Sequence, residues 1–361
     1  MTSAAGRKSD KIGASARQDG KRRARGWRSA LAASGLGALA MLAVALAPSG
    51  AAAAACATSI TACGCTITTG GTNYIVANDL SFSGTSGACI TVAASNLILD
   101  GKFHTISGSS SAASTIGVEV ASTAKTVEFG DMTVTGFGQG IRLDGRDAVL
   151  VTSMVSLNGR GVVANGPAAI LVSVTADANN LAGIQVNPGA VGSTLLQVTA
   201  DSNFGAGVKL INVNGVSLIK SDASTNSTFG VWLKGSSSNL LWDFTAEDNT
   251  IAGVYLGCNA AGPTGGACPP GTLPASANMI SGDLVGSTNS VVSPSSPSKQ
   301  KFGVAIDLGN SKNRVLNVTG KGNGIFDAID KNASCATNLW LGTFTAVSQT
   351  PAASGNLFCI G

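Results

Sequence analysis

Trp and Tyr are scarce in this chain, four and two residues in 361, yet one of each occupies the same place in adjacent repeats. Trp232 stands in "GVWLKG" and Tyr255 in "GVYLG", each the third residue of a Gly-(Val/Ile)-x-aliphatic unit. The same place holds Lys209 in "GVKL" and Gln185 in "GIQV". Successive side chains of an extended strand face opposite ways, so with Val231 and Leu233 in a core Trp232 must face outward. Two exposed rings side by side can lie flat on sugar rings, while amide and ammonium groups bond hydroxyls or carboxylates. Gln185, Lys209, Trp232, Lys234 and Tyr255 therefore form the candidate substrate-binding set. On that reading Trp232→Ala leaves the fold intact and weakens binding by roughly 1 kcal/mol. The competing reading is a side cluster that a loop covers.

Other chemistry is sparse. His104, in "GKFHTISG", is the only histidine, which excludes any site that needs two, and a structural turn role is the simpler reading. Asp177, Asp201 and Glu247, with Ser224 between, stand six residues before consecutive ladder glycines. Coils of a solenoid lie about 4.8 Å apart, so such carboxylates repel unless solvated or bridged by a cation. They are the candidate calcium ligands, with solvated turn acids as the plainer alternative. No other cofactor is implied, and one histidine without paired CxxC motifs argues against zinc.

These residues are placed by a repeat. "GVEV" at Gly117, "GIRL" at Gly140, "GVVA" at Gly161 and "GIQV" at Gly183 continue as "GVKL" at Gly207, "GVWL" at Gly230 and "GVYL" at Gly253. "GVAI" at Gly303 and "GIFD" at Gly324 follow an interruption. A period in the twenties with short strands means a solenoid. The coils lack regular leucines and a helical segment, which excludes a leucine-rich repeat. Each instead has a second β-rich stretch, such as "STLLQVTA" or "NLLWDFTA". Asn179, Asn203, Asn226 and Asn249 stand four residues before consecutive glycines, where stacked amides can hydrogen-bond from coil to coil. The expected fold is all-β, a parallel β-helix of about ten coils of 21–24 residues.

The first 55 residues read differently. Nine Lys/Arg before residue 29 precede the apolar run "ALAASGLGALAMLAVALA" and a small-residue stretch, the order of an export signal cut near Ala55. An uncleaved anchor is the alternative, and it would be the chain's membrane contact. Without this leader the formal charge of +4 becomes −3, so nucleic acid is not an expected partner. The expected organisation is a leader, 1–55, and one solenoid domain, 56–361, in a secreted, periplasmic or envelope protein. All eight cysteines follow the cut, which implies disulfides in an oxidising compartment. Cys258–Cys268 and Cys335–Cys359 are the close pairs; among the first four, Cys56–Cys63 with Cys65–Cys89 is the pairing chosen from three.

On "CGCTIT", "ACITVAASNLILDGKFHTISG", the glycine ladder, "NLWLGTF" and "NLFCIG", the chain resembles right-handed parallel β-helix repeat proteins, in the superfamily that includes pectate lyases and polygalacturonases. The resemblance implies disulfide-bearing ends that cap the solenoid, a role that Cys335–Cys359 fits. It implies no established reaction. The clustered aspartates and "RIK" of polygalacturonase-like hydrolysis are absent. Pectate-lyase-like elimination needs acids and an arginine base, and Arg142, Asp144, Arg146 and Asp147 of "IRLDGRD" supply the residue types without a lyase motif. Surface turn residues are the plainer reading.

Residues 257–301 hold six prolines and Cys258 and Cys268, and lengthen one coil directly after Tyr255. Long loops on a solenoid emerge beside the functional face, so this insertion is expected to wall or cover the Trp232–Tyr255 region. The functional expectation is an exported solenoid that binds polysaccharide or another cell-surface glycan along its outer sheet. A polysaccharide lyase or glycoside hydrolase with an unusual site, and a non-catalytic envelope or adhesive rod, are the alternatives.

Overall fold

Short strands recur along the chain, and each pairs in parallel with the strand one coil away. The computed structural model describes residues 53–263, 272–281, 289–290, 300–333, 337–350 and 360. They lie in one unit, Ala52–Gly361, and contain no helix. The first sheet has 13 strands, from Ala54–Ala55 to Val347–Thr350. Eight carry or directly follow the ladder glycines from Gly117 to Gly303; the expected unit at Gly324 is corrected, because Phe326 pairs with Phe302 and sets Asp327 opposite Gly303. The second sheet also has 13 strands and begins at Ser59–Ile60. A third face starts as four strands, Leu80–Phe82 to Met154–Ser156. It then narrows to one bridge per coil, through Thr175, Thr199, Asp222 and Thr245. This is an all-β parallel solenoid.

One apolar core runs along the axis. Val208, Leu210, Val231, Leu233, Val254 and Leu256 of the first sheet meet Leu195, Leu218, Leu241 and Ile280 of the second, all buried. Both sheets are parallel and face this core with aliphatic residues, each worth about 1.5–3 kcal/mol when fully removed from water.

The turns are held by amides. Asn203 N–H donates to Asn226 Oδ1 at 2.9 Å and Asn226 N–H to Asn249 Oδ1 at 2.9 Å. The Asn226 side-chain amide donates to Ala200 O and Asn249 Oδ1, both at 3.0 Å. The stack starts at Asn158, passes through the four expected asparagines, and is carried across the insertion by Gln300 to Asn323. All but Asn323 are buried, and Asn226 has its donors and acceptor engaged. This stack also explains the glycines. A Cβ at Gly207 would lie 2.6 Å from Asn226 Nδ2 and 2.5 Å from Ala200 O, and one at Gly230 2.7 Å from Asn249 Nδ2. From Gly140 to Gly230, the glycine of each coil is the floor on which the next coil's amide rests.

A second stack, absent from the sequence reading, joins Asn239, Asn278, Asn313 and Asn338 at another corner, with backbone N–H to Oδ1 distances of 2.9–3.0 Å. Inserted residues make its spacing 39, 35 and 25, which hides the period.

The N-terminal disulfides are Cys56–Cys65 and Cys63–Cys89, which corrects the expected pairing. Register is the reason. Cys65 pairs with Ile90, which sets Cys89 beside Gly64, whose N–H donates to Cys89 O. That leaves Cys63 against Cys89, while Ala54 stacks on Cys65 and brings Cys56 to it. Cys258 is disulfide-bonded. Its expected partner Cys268, and the expected pair Cys335 and Cys359, lie outside the described residues.

Replacing Asn226 with Ala strips the acceptor from two Asn203 donors. Urea unfolding followed by circular dichroism should show a loss of at least about 1–3 kcal/mol, the cost of unsatisfied buried groups. Gly207→Ala should destabilise by a similar amount through the Asn226 contact, whereas Gly192→Ala, at an open turn with positive φ, should act only through backbone strain.

Candidate functional site

Register aligns the outward row as expected. Glu119 pairs with Arg142, Arg142 with Val163 and Val163 with Gln185. Gln185 pairs with Lys209, Lys209 with Trp232, and Trp232 with Tyr255. The row then divides into an open polar half and a covered aromatic half.

In the open half, polar side chains link neighbouring coils. The Arg142 guanidinium donates from Nη2 to Glu119 Oε1. Its Nε lies 3.0 Å from Asp144 Oδ2, an ion pair without the alignment of a hydrogen bond, so that N–H has no hydrogen-bond acceptor. Asn165 Nδ2 donates to Asp144 Oδ1 at 2.5 Å and Asn187 Nδ2 to Asn165 Oδ1 at 2.6 Å. Gln185 Nε2 donates to Asn187 Oδ1 at 2.9 Å, and Arg160 Nε to Gln185 Oε1 at 3.3 Å. Of these, Arg142, Asp144, Arg160, Asn165, Gln185 and Asn187 line a groove of about 460 Å³, with Gln139 and Val163. Arg146 and Asp147 do not line it. They open the strand Arg146–Val151 of the second sheet, beyond the Gly145 corner, and are exposed.

In the covered half, Trp232 and Tyr255 do face away from Val231 and Leu233, but they are not bare. Trp232 is 6% exposed and Tyr255 0%. They pack with Phe229, whose ring centroid lies 5.0 Å from Trp232 and 4.7 Å from Tyr255. The chain leaving Tyr255 folds over them. Trp232 Nε1 donates to Gly257 O at 2.7 Å. Tyr255 hydroxyl donates to buried Asp307 Oδ2 at 2.9 Å and lies 3.3 Å from Gly262 O. Burial, then Asp307, holds the phenol protonated far above its usual range. A Cβ at Gly257 would lie 2.4 Å from the Tyr255 ring, so glycine lets the chain cross it. The expectation of an exposed aromatic pair is thus corrected: strand alternation sets the side a residue faces, and the inserted chain supplies a further layer on that side.

Between the halves lies a cavity of about 130 Å³, lined by Arg160, Gln185, Lys209, the edge of Trp232 and apolar neighbours. Lys209 Nζ is 4.4 Å and Lys234 Nζ 5.7 Å from the Trp232 ring centroid, a cation–π arrangement. Burial, then the nearby charges of Lys234 and Arg160, lowers the pKa of Lys209. Among the described residues, Arg160, Lys209 and Lys234 have no carboxylate partner, in contrast to Arg142. Arg160 was missed in the sequence. Its signal is the position immediately before a ladder glycine, where Gln139, Ala182, Ala206 and Phe229 also line the outer face.

The acids of the turn form a ladder of caps. Asp177 Oδ1 accepts the N–H of Asp201 at 2.8 Å, Asp201 Oδ1 that of Ser224 at 2.7 Å, and Ser224 Oγ that of Glu247 at 3.0 Å. Among the described residues no group of three or more His, Cys, Asp or Glu is arranged to hold a metal ion. Burial, with Asp222 and Asp177 nearby, pushes Asp201 up to about 7, and burial likewise raises Asp177. His104 Nδ1 lies 3.2 Å from Asp79 Oδ1, which also accepts Thr105 N–H at 2.9 Å. The Thr105 bond, then His104, lowers the Asp79 pKa.

Fold and groove define a parallel β-helix with a polar groove on one outer sheet. Residues 116–266 match the family model of the right handed beta helix region. No curated protein sequence matches it. Among solved structures, it is similar to the Dettilon tailspike protein, with 13% identity over 77% of this chain and 61% of the tailspike, at a TM-score of 0.49. It thus spans about three fifths of the tailspike chain. It is also similar to the A-module of Azotobacter vinelandii mannuronan C-5 epimerase AlgE4, with 14% identity over 81% of this chain and 78% of that one, at 0.41. Pectate lyase Pel9A shows 16% identity over 73% of this chain and 72% of its own, at 0.38. Identities and scores this low transfer no activity.

Two expectations follow. Trp232→Ala should destabilise by about 3–5 kcal/mol, as for other buried aromatics, measured by chemical unfolding. Asp201 binds its proton more tightly folded than at its ordinary value of 3.8. Its contribution to stability is therefore largest below that value and lost as pH rises through about 7. Asp201→Asn keeps an acceptor for Ser224 without the charge. The melting temperature of this variant, relative to the unmodified protein, should rise steadily between pH 4 and 8.

Proposed function

We propose that the polar groove on the first sheet binds anionic polysaccharide, in an exported protein whose leader, 1–55, precedes a solenoid, 56–361. One observation carries the reading: Arg160, Lys209 and Lys234 line or flank adjoining cavities with no carboxylate partner among the described residues. A cation held partly out of water without a counter-charge is a site that a ligand carboxylate, sulfate or phosphate would complete. Gln139, Asn165, Gln185 and Asn187 offer amides for sugar hydroxyls beside it. Val163 supplies an apolar floor. The envelope or cell surface is where such a protein would meet its glycan. Lys209 and Gln185 keep their proposed binding roles, Arg160 joins them, and Trp232 contributes only its edge.

A catalytic role is a second reading, favoured by Asp144 and Arg142 in the groove and by Glu119 reaching Arg142 from the neighbouring coil. On this reading, Asp144 or Glu119 would accept a proton while Arg142 neutralised a substrate carboxylate. Arg146 and Asp147 drop out of that set because they lie outside the groove.

Isotherms against acidic and neutral glycans test the proposal. Lys209→Ala and Arg160→Ala should each weaken binding of acidic glycans by about tenfold, the scale of one charge-assisted contact. The effect should shrink as salt rises, since partly exposed charges are screened. Equal binding of neutral glycans, or no change in either variant, would refute it. Reducing-sugar and unsaturated-uronate assays on the same samples separate binding from cleavage.

A further inference from the structure

The outer face of the second sheet has a different chemistry from the first. One outward row reads, in register, Glu128, then Val149, Ile170, Thr194, Ser217, Leu240 and Met279, then Arg314. Two residues along each strand, a second row carries Val172, Leu196, Ile219 and Trp242 over its middle rungs. The alternate residues, such as Leu171, Leu195, Leu218 and Leu241, fill the core, so both rows face away from it. Ile170 is 37% and Met279 36% exposed, and Trp242 is half-buried. A contiguous apolar stripe of this length is unusual on a surface that meets only water. The charged residues that bracket its first row, Glu128 and Arg314, are exposed and have no ion-pair partner among the described residues.

We propose that this face is an interface with a second copy of the chain, packed face to face about a two-fold axis parallel to the strands. Such an axis runs the two solenoids antiparallel and reverses the order of rungs. Centred between the Thr194 and Ser217 rungs, it sets each residue of the row opposite a matching one. Glu128 meets Arg314 of the second copy, Val149 meets Met279, Ile170 meets Leu240, and Thr194 meets Ser217. Charge faces opposite charge, apolar faces apolar and hydroxyl faces hydroxyl. In the second row Val172 meets Trp242 and Leu196 meets Ile219. One rung further out, Leu339 meets Ile98, both exposed. A hollow of about 300 Å³ beside Glu128, lined by Asn73, Ile98 and Val149, receives the long Arg314 side chain. A two-fold along the solenoid axis is disfavoured, because it puts both Glu128 residues on one rung and both Arg314 residues on another.

Size agrees. Ten rungs at about 4.8 Å and four residues of about 3.3 Å give a face of about 600 Å² per copy before side-chain relief. Stable pairs bury about 600–1,000 Å² per partner, so this stripe reaches the low end of that range.

Sedimentation equilibrium on the full chain tests the proposal, with circular dichroism to check folding. The expected result is a dimer that Trp242→Asp converts to monomer. Glu128→Arg and Arg314→Glu should each raise the dimer dissociation constant by at least about tenfold through like-charge contacts. Combining the two should return it to within about threefold of the starting value, because the pair is re-formed with its signs exchanged. A chain that stays monomeric up to about 0.1 mM, too weak for an interface of this size, would overturn the proposal. So would a dimer insensitive to Trp242→Asp, or a double charge exchange that fails to restore association. Binding of a monomer to phosphatidylcholine vesicles would assign the face to a lipid surface and equally overturn it.

Discussion

One hydrogen-bonded contact organises the molecule: a buried side-chain amide that closes the backbone of the preceding coil at the turn. A solenoid coil bends sharply at each corner, and its N–H groups there have no neighbour within the coil. Asn203, Asn226 and Asn249 supply the acceptor from the next coil and pass their own amides onward. The contact is intolerant of bulk, which is why a glycine stands under each amide. Glycine ladder and asparagine ladder are thus one constraint seen from two coils. Where the insertion breaks the period, Gln300 reaches into the place of an asparagine and the stack continues to Asn323.

With turns set, the strands of successive coils fall into register and every outward position becomes a row. Rows of the first sheet carry amides and charges, then aromatics; rows of the second carry aliphatic residues. The same backbone therefore presents a wet groove on one side and an apolar stripe on another. The insertion after Tyr255 divides the first face. It buries the indole and phenol, and the polar groove occupies the rungs that precede its cover.

Near the C-terminal end, buried carboxylates replace some of the amide contacts. Asp327 accepts the N–H groups of Asn323, Thr345 and Ala346, and these bonds with that of the Thr345 hydroxyl outweigh burial and hold its pKa low. Asp330 accepts from Asn332, Asn338 and the Trp340 indole. Each is a buried side chain whose oxygens accept from several donors at once. This end therefore buries acids beside the apolar core, which Val304, Ile306, Val315 and Trp340 continue.

The solenoid was legible in the repeat, with the strand register and the outward residue of the coils from Gly117 to Gly303, because these follow from a local period; the unit at Gly324 departed from it. Gly183, Gly207, Gly230 and Gly253 and their asparagines repeat closely enough to be read without a structure. Tertiary structure decided what lay over those faces. Trp232 faces outward as its strand requires, but Gly257 and the chain beyond it come from an insertion without a period. Arg160 was overlooked because it stands before a glycine rather than after it. The Asn239–Asn338 stack was hidden by uneven spacing. Cys63 found Cys89 rather than Cys56 because the strand register, set by Cys65 and Ile90, outranks proximity along the chain. Periodic contacts are encoded coil by coil; contacts made by inserted chain and by corners depend on distances that only the closed coils bring together.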